Sequence, residues 1–159
     1  MPSSSPQAQV KDITQRPDMP GFTLERTAKR MKQFFQQTLS AAGAEITIDQ
    51  WVVLQTLNQQ NGLSQLEIAK ATFKDPPTIT RIIDLLCRKG LTERVTDSQD
   101  RRRFRIQLTD EGRLKIEEVV PIIQQARRKA WANLDNQQID QLMDMLDIVF
   151  NNLSAEDTK

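Results

Sequence analysis

Histidine is missing from this chain altogether, and cysteine occurs once, as Cys87. Without histidine the commonest general base, the commonest metal ligand and the usual physiological pH switch are gone. One cysteine cannot close an internal disulfide, and one cysteine without histidine does not suit a zinc site; only a site made of carboxylates is left, and nothing in the sequence points to one. No nucleophile–base pair, glycine-rich phosphate loop or metal-ligand spacing is found, so neither an enzyme nor a cofactor is expected. No apolar run approaches the roughly 18 residues of a membrane span. The opening MPSSSPQAQV lacks the charged-then-apolar layout of a secretory signal. These absences suit a reducing cytoplasm. Glycine and proline are also sparse, with 5 and 7 residues, which favours helices.

What is present is segregated charge. The formal net charge is only +1, but Arg88 to Arg105 holds seven bases and three acids, a local balance of +4. Asp135 to Lys159 holds six acids and one base, a balance of −5. A polyanion is drawn to the middle of the chain and repelled by its end.

Apolar spacing and capping signals place the elements. Residues 1–22 contain Pro2, Pro6, Pro17 and Pro20 with Ser3 to Ser5, the composition of an irregular or flexible arm. Leu24, Ala28, Met31, Phe35 and Leu39 recur at helical spacing, and Gly43 is a stop. Thr47 with Gln50, and Ser64 with Glu67, are capping boxes opening two further helices. Asp75 caps a fourth, closed by Gly90. Two strands follow, about Leu91–Val95 and Phe104–Leu108. In the second, Phe104, Ile106 and Leu108 are expected to face inward and Arg105 and Gln107 outward. Thr109 caps a long helix that Pro121 should kink. Asp135 and Gln138 open the last helix, with an apolar stripe from Ile139 to Leu153.

The order is that of a helix-turn-helix followed by a wing. On the fourth helix Ile79, Ile82, Ile83 and Leu86 fall on one face and Pro77, Arg81, Asp84 and Arg88 on the other. Thr78 and Thr80 flank its N-terminal end, from which recognition helices read bases. Arg81 suits a bidentate contact to guanine or a phosphate. The threonines suit phosphates or a thymine methyl. The hairpin carries Arg94 and ends in Asp97-Ser98-Gln99-Asp100-Arg101-Arg102-Arg103. Three consecutive arginines suit a narrow, electronegative minor groove, with Asp100 pairing with an arginine to shape the loop. The candidate partner is double-stranded DNA, and the candidate contacts are Thr78, Thr80, Arg81, Arg88, Arg94, Asp100, Arg101, Arg102 and Arg103. The competing reading is a winged helix used for protein–protein contact.

Over about Thr23 to Leu153 the chain resembles the MarR family of bacterial regulators. The residues that carry the likeness are Thr80-Arg81, then Leu86 through Lys89-Gly90-Leu91, Asp100-Arg101-Arg102, and Leu108-Thr109-Asp110-Glu111-Gly112. The resemblance implies a homodimeric winged-helix repressor or activator on a near-palindromic operator, with Asp100 and Arg102 holding the minor-groove contact. It also implies a small aromatic or amphipathic effector bound between the dimer helices and the DNA-binding lobe. Pro76-Pro77 departs from the small or polar residues often found there. No cysteine stands near the start of the first helix, where the peroxide-sensing branch has one.

The expected class is mostly α (α+β): a winged helix-turn-helix with flanking N- and C-terminal helices that form a dimerisation region. The expected unit is 23–153, with the DNA-binding lobe at about 47–109, dimerisation helices at about 23–43 and 110–153, and a tail at 154–159. Folding back of the outer helices within one monomer is the alternative to a dimer. Phe35, Trp51 and Trp131 are candidates for an effector pocket, with core packing as the default. Cys87 reads as a structural, mostly buried residue rather than a redox switch. Arg127-Arg128-Lys129 reads as a solvated helix face.

Overall fold

In the computed structural model, residues 20–154 are described. The elements run α1 (Pro20–Ala41), α2 (Ile48–Gln59), α3 (Gln65–Thr72), α4 (Pro76–Arg88), β1 (Thr92–Thr96), β2 (Phe104–Leu108), α5 (Asp110–Ala130) and α6 (Asn136–Ser154). The expected arm at 1–22 lies mostly outside the described residues. Its last three residues, Pro20 to Phe22, belong to α1 instead. Proline tolerates a first helical position because its missing N–H has no intrahelical partner there. Ser154, assigned to the tail, closes α6, and the rest of 154–159 lies outside the described residues.

Local chemistry sets most boundaries. Thr47 and Ser64 each form a reciprocal capping box, with Gln50 and Glu67. Asp75 accepts from the Thr78 N–H at 3.0 Å, and Thr109 from the Gly112 N–H at 3.0 Å. Asp135 and Gln138 exchange bonds of 2.8 and 3.0 Å at the head of α6. Gly90 turns the chain after α4 with φ +71°, a backbone region that glycine enters without steric cost. The helix α5 runs through Pro121, which faces solvent.

The core joins α1 to the helix-turn-helix and to α5. Leu39, Val53, Leu54, Leu57, Ile68, Ile79, Ile83, Leu86, Ile106 and Val119 are wholly buried within it. Antiparallel β1 and β2 pair Thr92 with Leu108 at one end and Thr96 with Phe104 at the other. Leu63 adds a bridge to Ile106. Gly112 sits where α5 starts beneath this sheet. A Cβ there would lie 2.0 Å from the Leu91 carbonyl oxygen, so no larger residue fits without movement.

One expectation about the strands fails. Ile106 and Leu108 face inward, but Phe104 is 52% exposed. Its face of the strand is the inward one, yet it lies at the tip end of a two-stranded ribbon that outruns the core. The helix α6 is different again. None of its residues is buried, and Met143, Met145, Ile148, Val149, Phe150 and Leu153 are exposed. Phe22 and Leu24 of α1 are exposed too. α1 and α5 bury part of their stripes in the core, through Phe35, Leu39, Ile116, Val119 and Ile123, whereas the stripe of α6 and the start of α1 stay uncovered, apart from an edge-on contact of Phe150 with Phe73.

Candidate nucleic-acid interface

The strongly amphipathic α4 buries Ile79, Ile82, Ile83 and Leu86 and leaves Arg81 and Arg88 on the open side. Its N-terminal end is held by Asp75, whose carboxylate also accepts from the Thr78 hydroxyl at 2.7 Å. The Thr78 hydroxyl and then its N–H hold that carboxyl below the usual range, and nearby Arg81 acts in the same direction. The fixed anion satisfies the Thr78 N–H, and Pro76 and Pro77, lacking N–H groups, leave fewer first-turn donors to satisfy.

The threonine hydroxyls are committed inside the protein. Thr78 donates to Asp75, while Thr80 donates to the Pro76 carbonyl at 3.1 Å and accepts from Gln65 at 2.9 Å. Their methyl groups remain as surfaces for an apolar contact. Arg94 is committed as well. Its guanidinium pairs with Asp84 of α4 at 2.6 Å and bonds Gln65 of α3 at 3.3 Å. It braces the wing against both helices of the motif.

The wing tip is built by two aspartates. Asp97, buried at 8% exposure, accepts from the N–H groups of Gln99 and Asp100 at 2.8 and 3.4 Å and from Arg105 Nε at 2.7 Å. The Gln99 N–H, then Arg105, hold its carboxyl below the usual range. Arg105 also reaches the Gly62 carbonyl at 3.2 Å and Glu67 at 3.1 Å, so the wing is clamped to the start of α3. Asp100 accepts from the Arg102 N–H at 3.0 Å and pairs with Arg103 Nε at 3.4 Å. The shaping role expected of Asp100 is therefore met through a backbone bond and Arg103. Among the described residues, the Arg81, Arg88, Arg101 and Arg102 side chains have no hydrogen-bond or ion-pair partner, and all four are exposed.

Sequence reasoning missed Asp97, Arg105, Gln65 and Asp84 as builders of this surface. The available signal was an aspartate opening a turn, eight residues before an arginine on the returning strand.

A second region gathers the aromatic candidates. Phe35, Trp51 and Trp131 line one cleft of ≈ 480 Å³ with residues of α1, α2 and α5, including Lys32, Asp49 and Arg127. Phe35 and Trp51 also belong to the buried core, so the two readings are not exclusive. Cys87 is partly buried, its Sγ 3.3 Å from Thr92 Oγ1. Lys129 sits over the Phe34 ring at 5.5 Å, a contact for one member of the Arg127-Arg128-Lys129 run. Among the described residues no helix is long and apolar enough to cross a membrane.

A helix-turn-helix, a two-stranded wing and a cationic face spanning both define a winged helix-turn-helix protein. The MarR family model matches residues 46–104. The chain is similar to BpsR of Bordetella bronchiseptica, whose DNA binding is regulated by 6-hydroxynicotinic acid. The two are 30% identical over 83% of this chain and 98% of that one, with a TM-score of 0.75. It is also similar to MepR of S. aureus, solved in complex with DNA, at 29% identity over 85% and 98% of the chains and a TM-score of 0.76. A probable transcriptional regulator from Pseudomonas aeruginosa matches at 27% identity over 83% and 97%, with a TM-score of 0.74. The chain belongs to the MarR family.

Proposed function

We propose that this chain is a sequence-specific transcriptional regulator of double-stranded DNA, a homodimeric repressor that a small molecule releases. The observation that carries the reading is the joint exposure of Arg81 and Arg88 on α4 with Arg101 and Arg102 on the wing. Arginine without a partner among the described residues, presented on a helix and on an adjacent loop, matches a major groove and its neighbouring minor groove. The core of the interface is then Arg81, Arg88, Arg101 and Arg102, with Arg103 in outer contact. Thr78, Thr80, Arg94 and Asp100 hold that surface in shape. MepR and BpsR, with their DNA and their regulating acid, support the same reading. The lobe at about 47–109 contacts DNA, and the helices at about 23–43 and 110–153 join the two copies.

The exposed stripe on α6 supports the dimer, since a helix with no buried residue gains most of its stability by packing elsewhere. The cleft of Phe35, Trp51 and Trp131 is the proposed effector site, suited to a small aromatic or amphipathic molecule. The protein acts as a regulator in the cytoplasm and not as an enzyme. Fluorescence anisotropy on a random duplex and on genomic fragments selected by the protein tests this at two salt concentrations. The expected result is salt-dependent binding to both, tighter to the selected fragments. Absence of binding to either duplex leaves a winged helix used for protein contact.

A further inference from the structure

Asp49, in the first turn of α2, stands between two lysines from separate parts of the chain. Its Oδ2 accepts from Lys32 of α1 at 3.0 Å, and its Oδ1 from Lys74 at 2.8 Å. Lys74 immediately precedes Asp75, the residue that caps α4. The side chains of Lys74 and Asp49 are only 21% and 31% exposed, a drier setting than a surface ion pair has. Burial pushes the Asp49 carboxyl up, but the hydrogen bonds from Lys74 and Lys32 outweigh it and keep the group charged. Asp49 and Lys32 also line the cleft that holds Trp51 and Trp131.

We infer that Asp49 is a positioning residue for DNA recognition, gripping Lys74 and so fixing where α4 begins. The turn needs such a grip. Phe73 sits in left-handed backbone, φ +55°, a strained conformation for a residue with a side chain, and its ring, 82% exposed, meets Phe150 of α6 edge-on with centroids 5.3 Å apart. The same carboxylate forms part of the cleft wall. Whatever displaces it there also loosens the start of the recognition helix. The inference rests on the DNA-binding reading.

Asp49→Asn in the full chain separates the grip from simple electrostatics. The substitution removes a negative charge, so long-range attraction alone strengthens binding to every duplex. Positioning predicts the opposite on a selected operator, a loss of about fivefold or more, with no loss on random duplex. In a Lys74→Met background, Asp49→Asn should add nothing, because the grip is already absent. Hydrogen exchange gives a readout without DNA. The Thr78 and Ile79 amides, both bonded to Asp75, should exchange faster in Asp49→Asn than in the wild type. Unchanged exchange together with equal or tighter operator binding overturns the inference and leaves the DNA-binding reading standing. A wild type that binds no duplex overturns that reading, and with it any role for Asp49 in recognition.

Discussion

The winged lobe and the terminal helix α6 are made from similar apolar residues and treat them in opposite ways. The lobe buries Ile79, Ile83, Leu86 and Ile106 completely, and ties its polar surface with the Asp97–Arg105–Glu67 and Asp84–Arg94–Gln65 clusters. The helix α6 exposes six large apolar side chains and buries none. An apolar stripe is therefore a demand for a partner and says nothing about whether the partner lies in the same chain. In the lobe the demand is met locally. In α6 it is left unmet by the described residues, and the proposed second copy would meet it.

Breaking the outward stripe gives the largest expected effect. Val149 is 48% exposed in its own chain, so Val149→Asp leaves the monomer's packing intact. In a dimer the carboxylate is desolvated, at a penalty of several kcal/mol. Sedimentation should show a dimer at micromolar concentration for the wild type and a monomer for the variant. Equal sedimentation of the two would place Val149 outside the interface.

Breaking the inward face comes next. Ile83→Ala removes a wholly buried side chain and should lower folding stability by about 2–5 kcal/mol, read as a drop in melting temperature. Its subunit association should survive wherever the variant remains folded. The same lesion in both stability and association would mean that lobe and stripe fold as one unit.

The wing and the recognition helix can then be set against each other. Arg102→Ala and Arg81→Ala should each lose about 1–3 kcal/mol on a selected operator with the melting temperature nearly unchanged. If Arg81 touches a base edge, its variant loses less on random duplex and the specificity ratio shrinks. If Arg102 is held by minor-groove potential, its loss follows minor-groove width across sequences. Anisotropy titrations on both duplexes settle each role, and wild-type affinity in either variant would remove that residue from the contact.

Acid sharpens the comparison least but still separates the regions. The Asp97, Asp75 and Glu67 carboxyls are all held below their ordinary values, and all three belong to the lobe. The unfolded chain binds protons more readily at these sites. Their stabilisation is thus full above the ordinary carboxylate value and fades as pH falls below about 4. Acid unfolding followed by circular dichroism should show a shallower loss in Asp97→Asn. An unchanged acid profile would mean that Asp97 titrates alike in both states.

The parts legible in the sequence were those written within four residues. Thr47 with Gln50, Ser64 with Glu67, Asp75 with Thr78 and Asp135 with Gln138 all sit one helical turn apart, where spacing fixes geometry. Illegible were the ties across long separations. The Arg105–Glu67 pair spans 38 residues and the Arg94–Gln65 bond 29; Glu67 reads from its neighbours only as a cap and Gln65 as an ordinary surface residue. Arg94, expected at the DNA surface, also makes two of these ties, to Asp84 and Gln65. Phe104 shows a related limit, because alternation gives the face of a strand but not how far the core extends beneath it. Phe35, Trp51 and Trp131 were grouped as candidates for an effector pocket and do share one cleft, but the packing of α1, α2 and α5 that forms it is written in no local pattern.

The missing side chain of Gly112 has a mechanical consequence. The first turn of α5 rests against the Leu91 carbonyl with no room for even one methyl group. From that fulcrum the 21-residue helix runs about 30 Å. A wedge at the fulcrum would swing the far end of the lever by several times its own width. In a two-fold assembly such a swing acts on both arms, changing the distance between the two recognition helices. In the proposed dimer, the spacing between the two recognition helices would thus be set, in part, by a single hydrogen atom.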